Sequence, residues 1–223
     1  LSIEWSLPSG TRSEVLDDEV LQMLSETNLR YLVYAPESGS KKMLEKIKKR
    51  ITLSSMIHSV KTAVRKNIAV RTNFIIGFPN ETRKDLYKTF ILHLQFALIG
   101  VDDIPLYPFQ PYPGTEIFND LVSKQRIKLN DQYFDSLATL STGRLSPPDN
   151  SYSEHIGRLE LYFYRCIGLL LTYSLSYLLR PRRIMRTAKN IIYTKKSATV
   201  FEQRLKDILR RKSTQLKFLV HKN

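Results

Sequence analysis

A carboxylate, a guanidinium and two polar side chains on an apolar run are the groups here best suited to a charged small molecule. Glu37 follows the run Arg30 to Tyr34 and precedes Ser38-Gly39. A carboxylate in that place can accept hydrogen bonds from an ammonium or a ribose hydroxyl, charge-assisted when the donor is cationic. Capping of the next helix by Glu37 or Ser38 is the competing use. Arg12 sits in a loop, where its guanidinium offers a bidentate clamp for a carboxylate or simply meets solvent. Arg71 and Asn73 interrupt the otherwise apolar stretch Ala69 to Ile76. Burying such a group unpaired costs about 1–3 kcal/mol, so they either line a cavity or hold a buried network together.

Other residues supply shape. Gly77 relieves the backbone where the run from Ala69 ends, and Pro79 fixes φ just before a helix begins at Glu81-Thr82. Gln110-Pro111-Tyr112-Pro113-Gly114 forms a second rigid loop. Proline and glycine there give form and no proton transfer. The four histidines, His58, His93, His155 and His221, lack metal-ligand spacing and are expected to have packing or surface roles. Asp102 and Asp103 read as solvated strand-entry residues.

These positions need elements to hold them. Alternation predicts strands over Ser2 to Leu7, Arg30 to Tyr34 and Ala69 to Ile76, and a fourth over Asp102 to Phe109. Pro105 and Pro108 each lack a donor and make that last boundary poor. Helices are expected after Asp17 or Asp18, after a Ser40 cap, from about Leu53 to Lys66, and from Glu81 to about Ile99. Strands separated by helices, with starts roughly 30 to 40 residues apart, predict an α/β fold with a parallel sheet, barrel-like or open. Ile117 to Leu121 adds a short helical piece, Asn130 to Asn150 reads as loop-rich, and a domain boundary is placed there. The expected division is 1–145 and a basic helical extension, 150–223.

Charge is concentrated in that extension. Residues 180–223 hold 14 Lys/Arg against Glu202 and Asp207, a net of +12 out of +14 for the chain. A basic segment suits nucleic acid, anionic lipid or an acidic partner without choosing among them. Cys166 is the single cysteine, which excludes a disulfide framework or a cysteine-built metal site within these 223 residues. A reducing, cytoplasmic setting fits. The chain opens at Leu1 with neither Met nor a leader, and is expected to be part of a longer protein.

Three motifs together carry a resemblance. Tyr34-Ala35-Pro36-Glu37-Ser38-Gly39-Ser40, Asn73 to Thr82 (NFIIGFPNET) and Pro111-Tyr112-Pro113-Gly114-Thr115-Glu116 resemble consecutive parts of the radical S-adenosylmethionine superfamily, in its cobalamin-binding-domain branch. The basic run Leu178 to Arg186 is similar to an Arg-Pro stretch of the same branch. The resemblance implies a partial TIM-like (βα)6 barrel. Three cysteines of a CxxxCxxC loop would hold a [4Fe-4S] cluster that cleaves S-adenosylmethionine to a 5'-deoxyadenosyl radical. On this resemblance the present strands are the third to sixth. The cysteine loop, the first two strands and the cobalamin domain would belong to a missing N-terminal half, making this a C-terminal fragment.

The resemblance also implies roles for cofactor contact. Glu37 and Arg12 would face S-adenosylmethionine, Ser6 would reach ribose, and Asn73 would line the reaction cavity. Ile76, Gly77, Phe78 and Pro79 would shape the loop under the adenine. Arg71, Gln110 and Tyr112 would lie on the substrate side. The expected outcome is methyl transfer from methylcobalamin or a cyclisation, on a small substrate of apolar or lipid-like character. The apolar stretch Cys166 to Leu179 falls short of the roughly 20 residues that cross a bilayer, so a buried or substrate-covering helix is expected. Surface attachment through Arg180, Arg182, Arg183 and Arg186 at the inner face of a membrane comes next. The alternative function is a non-catalytic module binding RNA or an anionic membrane through residues 180–223; nucleic acid is the less favoured partner, since no recognised module accompanies the basic residues.

Overall fold

The computed structural model describes residues 3–12, 16–142 and 150–193, together with 199, 202, 203, 205–207 and 209. Four strands, β1 (Trp5–Thr11), β2 (Leu29–Glu37), β3 (Ala69–Ile76) and β4 (Leu106–Pro108), lie parallel in the order β1-β2-β3-β4. Sequential order without reversal is the winding of a barrel and not of a doubly wound sheet. Between the strands run α1 (Asp18–Glu26), α2 (Lys41–Lys46), α3 (Leu53–Arg65) and α4 (Arg83–Ile99). After β4 come α5 (Glu116–Ser123), α6 (Asp131–Thr142), α7 (Arg158–Leu179) and α8 (Arg182–Ile192). The fold is therefore α/β, an arc of a βα barrel followed by helices.

One face of the arc is sealed. Val70, Thr72, Phe74 and Ile76 are fully buried, and the apolar ones pack with Leu21, Met56, Val60, Leu86 and Phe96 of the helices. The opposite face carries Arg71, Asn73 and Ile75, all half-buried. Helix starts follow the expected chemistry at two places. Asp17 accepts from the Val20 amide at 2.8 Å, and Thr82 and Asp85 form a reciprocal box at the start of α4. Ser40 occupies the N-cap of α2 but turns its hydroxyl to Asp85, 2.6 Å away, tying the loop after β2 to α4.

Three boundaries differ from the sequence reading, each for a physical reason. The first strand runs on through Pro8 to Thr11, because an edge strand tolerates a missing donor. The fourth shrinks to three residues plus an isolated bridge between Arg71 and Asp103, as its prolines interrupt the ladder. The stretch expected to be loop-rich contains α6, whose start Asn130 caps by accepting from the Tyr133 amide at 3.0 Å.

Helix α7 closes the β4 edge. Arg165 Nε donates to the Leu106 carbonyl at 3.0 Å, and Gly168 lets α7 approach Phe90 and Leu106. His93 is buried between α7 and β4: Nε2–H donates to the Ile104 carbonyl at 2.9 Å, and Nδ1 accepts from Thr172 at 2.7 Å. Burial pushes its pKa down to about 4. Among the described residues no helix is long and apolar enough to cross a membrane.

The basic corner after α7 is turned inward. Arg180 donates to the carbonyls of Ala97 and Leu98, and Arg183 to those of Gly100 and Val101. Arg183 and Arg186 also pair with Asp102 at 3.2 Å. Cations at the carbonyl end of α4 complement its dipole. Asp102 and Asp103 are thus not solvated strand-entry residues: Asp102 accepts these arginines and the Val70 amide, and Asp103 is 1% exposed. Gly100, which ends α4 at φ 109°, has no Cβ and so leaves room for the Arg180 guanidinium. Gly100→Ala is expected to lower stability by about 1–2 kcal/mol through the left-handed backbone, read as a shifted midpoint in urea.

Candidate functional site

Parallel strands deliver the residues that follow them to one edge of the sheet, and α/β folds bind ligands there. Glu37 ends β2 with φ 62°, an uncommon conformation for a residue bearing a Cβ. Its side chain is 21% exposed and lies 3.3 Å from Lys49. Burial raises the pKa of the carboxyl, and Lys49 opposes that rise. A partly desolvated carboxylate with one long ion pair retains capacity for a cationic or hydroxyl donor. Gly39, just beyond, touches α4: a Cβ there would lie 2.4 Å from the Lys88 carbonyl oxygen, and its amide donates to Thr89 at 3.1 Å.

The loop after β3 is held from within. Gly77 takes φ 88°, and its amide donates to Glu81 at 2.5 Å. A Cβ on Gly77 would strike Leu161 of α7 at 2.7 Å. Phe78 is buried with its ring centroid 4.9 Å from Phe109, which in turn lies edge-on to Tyr152 at 6.2 Å. Pro79 is buried and accepts from the Glu154 amide at 2.9 Å. Gln110 follows β4 and is 8% exposed; Tyr112, two residues on, is 51% exposed.

A polar network occupies the open face. Arg71 donates to Asn73 at 2.8 Å and to the Tyr107 hydroxyl at 2.5 Å, and lies 3.6 Å from Asp103. Tyr31 lies close enough to the guanidinium to feel its charge, and Tyr173 of α7 donates to Asp103 at 2.7 Å. Burial works against the charge on Arg71, but Tyr107, Asp103 and Tyr31 more than offset it and raise its pKa. Burial raises the pKa of Tyr31 as well.

The structure therefore brings Glu37, Gly77, Phe78, Pro79 and Gln110 to the strand ends, and Arg71 with Asn73 to the open face. Two other residues lie elsewhere. Ser6 lies near the start of β1 opposite Tyr31, because the strand continues to Thr11, and Ile76 points into the helix-side core at 0% exposure. Alternation gives the open face to Ile75 instead. Arg12 follows β1 and is exposed. Tyr31 and Tyr107 are not singled out by the sequence, while Asp103 reads there as a solvated strand-entry residue and Glu81 as the start of a helix, not as parts of these networks. The period-two register with Arg71 was the available signal for the first three, and the Gly77-x-x-x-Glu81 spacing for the fourth.

With this geometry in view, residues 7–92 match the family model described as Radical SAM superfamily. Several relatives bear names of group-transfer enzymes. An uncharacterized methyltransferase of Pyrococcus horikoshii is 33% identical over 53% of this chain and 25% of its own length. A putative methylthiotransferase of Methanocaldococcus jannaschii is 29% identical over 50% of this chain and 24% of its own. The cytidylyl-2-hydroxyethylphosphonate methyltransferase of Streptomyces wedmorensis is 34% identical over 74% of this chain and 31% of its own. The chain thus spans about a quarter to a third of these curated relatives. Among solved structures, methylornithine synthase covers 72% of this chain and 42% of its own at 13% identity, with a TM-score of 0.40.

Cofactor fit divides cleanly. Among the described residues no group of three His, Cys, Asp or Glu could hold a metal, and one cysteine cannot ligate an iron–sulfur cluster through three thiolates. The strained, half-buried Glu37 beside the Gly77 loop does suit a small molecule carrying an ammonium and ribose hydroxyls.

Proposed function

We propose that these residues form the trailing part of a cobalamin-type radical S-adenosylmethionine barrel and orient that cofactor and a substrate within it. What supports the reading most is the convergence of Glu37 and the Gly77 loop on one sheet edge, within the stretch matched to the superfamily. Bound S-adenosylmethionine would supply a 5'-deoxyadenosyl radical for hydrogen abstraction when reduced by a cluster. That cluster, and any cobalamin, would be held by residues outside these 223.

The chain's own part is positioning. Glu37 accepts from the ammonium or ribose of the cofactor, the loop of Gly77, Phe78 and Pro79 frames the adenine, and Arg71 with Asn73 fixes the polar wall beneath. Methyl transfer is preferred to cyclisation because of the names of two relatives. The setting we read is cytoplasmic. Attachment of residues 180–223 to RNA or an anionic surface has little support, since Arg180, Arg183 and Arg186 are engaged inside the fold.

Calorimetric titration with S-adenosylmethionine tests the proposal. Glu37→Gln removes the charge and keeps the shape, and is expected to weaken binding about tenfold, the loss of one charge-assisted hydrogen bond. Unchanged affinity would remove Glu37 from the site. In the full-length protein, anaerobic reduction should yield 5'-deoxyadenosine, and its absence with an intact cluster would overturn the enzymatic reading.

A further inference from the structure

Beyond the strand-end loops lies a cavity of about 300 Å³, bounded by the residues after β4 and by the segment from Gln125 through α6. Its floor is Gln110, Tyr133, Ser136 and Tyr152, all buried, and Arg126 and Lys128 stand at its rim. Among the described residues no aspartate or glutamate lines it. The site is built on its own small core, in which Phe118, Leu121, Ile127, Tyr133 and Tyr152 pack together. Tyr133 is fixed by donating to the Pro111 carbonyl at 2.6 Å, which ties α6 to the loop after β4.

Two features give the cavity a ligand chemistry. Gln110 is more than nine-tenths buried, yet its carboxamide makes one long hydrogen bond, 3.5 Å from Ser136, and faces the cavity. A buried amide so poorly engaged favours a further partner. Lys128 has no ion pair among the described residues, and the only one of Arg126 is to Glu154 at 3.9 Å. Amide donors below and two cations above, with no acid among the described lining residues, suit oxygen atoms carrying negative charge.

The cavity also adjoins the cofactor side. Tyr152, on its floor, meets Phe109, and Phe109 meets Phe78 of the loop after β3, so one aromatic wall separates the two. We propose that this cavity is the subsite for an oxyanion of the substrate, a phosphoryl or carboxylate group, anchoring it beside the reacting centre. Its assignment to substrate rests on the function proposed above; the anion binding does not.

The test titrates the full 223-residue chain with inorganic phosphate, and separately with acetate, following side-chain amide resonances by NMR. Saturable shifts are expected at Gln110, with affinity about tenfold weaker in the Arg126→Gln/Lys128→Gln double variant. Gln110→Glu, which places a like charge on the floor, should abolish binding while leaving spectral dispersion intact. Tighter binding of phosphate assigns a phosphoryl group, and tighter binding of acetate a carboxylate. No saturation with either anion, or equal affinity in the double variant, overturns the subsite. Glu37→Gln should leave phosphate binding unchanged, so loss of the cofactor reading and loss of this subsite register separately.

Discussion

Asp103→Ala should destabilise the fold by about 3–5 kcal/mol, the cost of leaving one member of a buried ion pair alone. Asp103 is 1% exposed, Arg71 lies 3.6 Å from it, and Tyr173 donates to it at 2.7 Å. Removing the carboxylate strands the guanidinium among Tyr31, Tyr107 and Asn73, none of which carries compensating charge. It also removes the Tyr173–Asp103 hydrogen bond, one of those that fasten α7 to the sheet. The Arg71 side chain is 15% exposed, so some water reaches it and the lower end of that range is expected. Replacing both partners, with Arg71→Met and Asp103→Leu, should recover most of the loss because no charge is then left buried. Urea denaturation of the two variants at neutral pH measures both quantities. A loss below about 1 kcal/mol in Asp103→Ala would show the pair to be solvated, as exposed pairs are.

That pair also shows where sequence reading reached its limit. The strand over Ala69 to Ile76 was legible to the residue, since an apolar run with β-branched members between turn signals has one reading. Parallel βα winding followed from the spacing of such runs. Asp103 sat beside prolines that obscured the fourth strand, and its register with Arg71 is a property of two elements more than thirty residues apart. Charge suffered the same way. A run of arginines after a greasy helix looks like a lipid or nucleic-acid contact, but the carbonyl end of α4 lies beneath Arg180 and Arg183. Local composition does not reveal which helix terminus a cation will meet. At the site, motif spacing placed Glu37, Gly77 and Gln110 at strand ends. Ile76, grouped with that loop in the sequence, lies in the helix-side core while Ile75 takes the open face, because the strand's phase is set by its neighbours.

Glu81 should make stability fall as pH rises, and substituting it should remove that slope. The side chain is 0% exposed; one oxygen accepts from the Gly77 amide, and the other has no hydrogen-bond partner. Burial raises the carboxyl pKa from 4.5 to about 7, against the pull of the Gly77 and Phe78 amides. Between those two values the native state holds a proton that the unfolded chain has released. Stability therefore declines across that window, by about 3 kcal/mol in all, and is level on either side. His93 acts in the opposite sense. Its pKa is about 4 in the fold against 6.5 when free, so its contribution is whole above 6.5 and is lost as pH falls toward 4. The two slopes overlap between 4.5 and 6.5 and nearly cancel there, so the wild-type profile alone conceals both. The informative quantity is the difference between Glu81→Gln and wild type. Glutamine keeps an acceptor for Gly77 and carries no charge, so the variant should match wild type near pH 4.5 and exceed it by about 3 kcal/mol at pH 8. Chemical denaturation at four or five pH values gives the curve. If the variant is instead the less stable at pH 8, the carboxylate is ionised in the fold, and the Gly77 and Phe78 amides, not burial, govern the loop after β3.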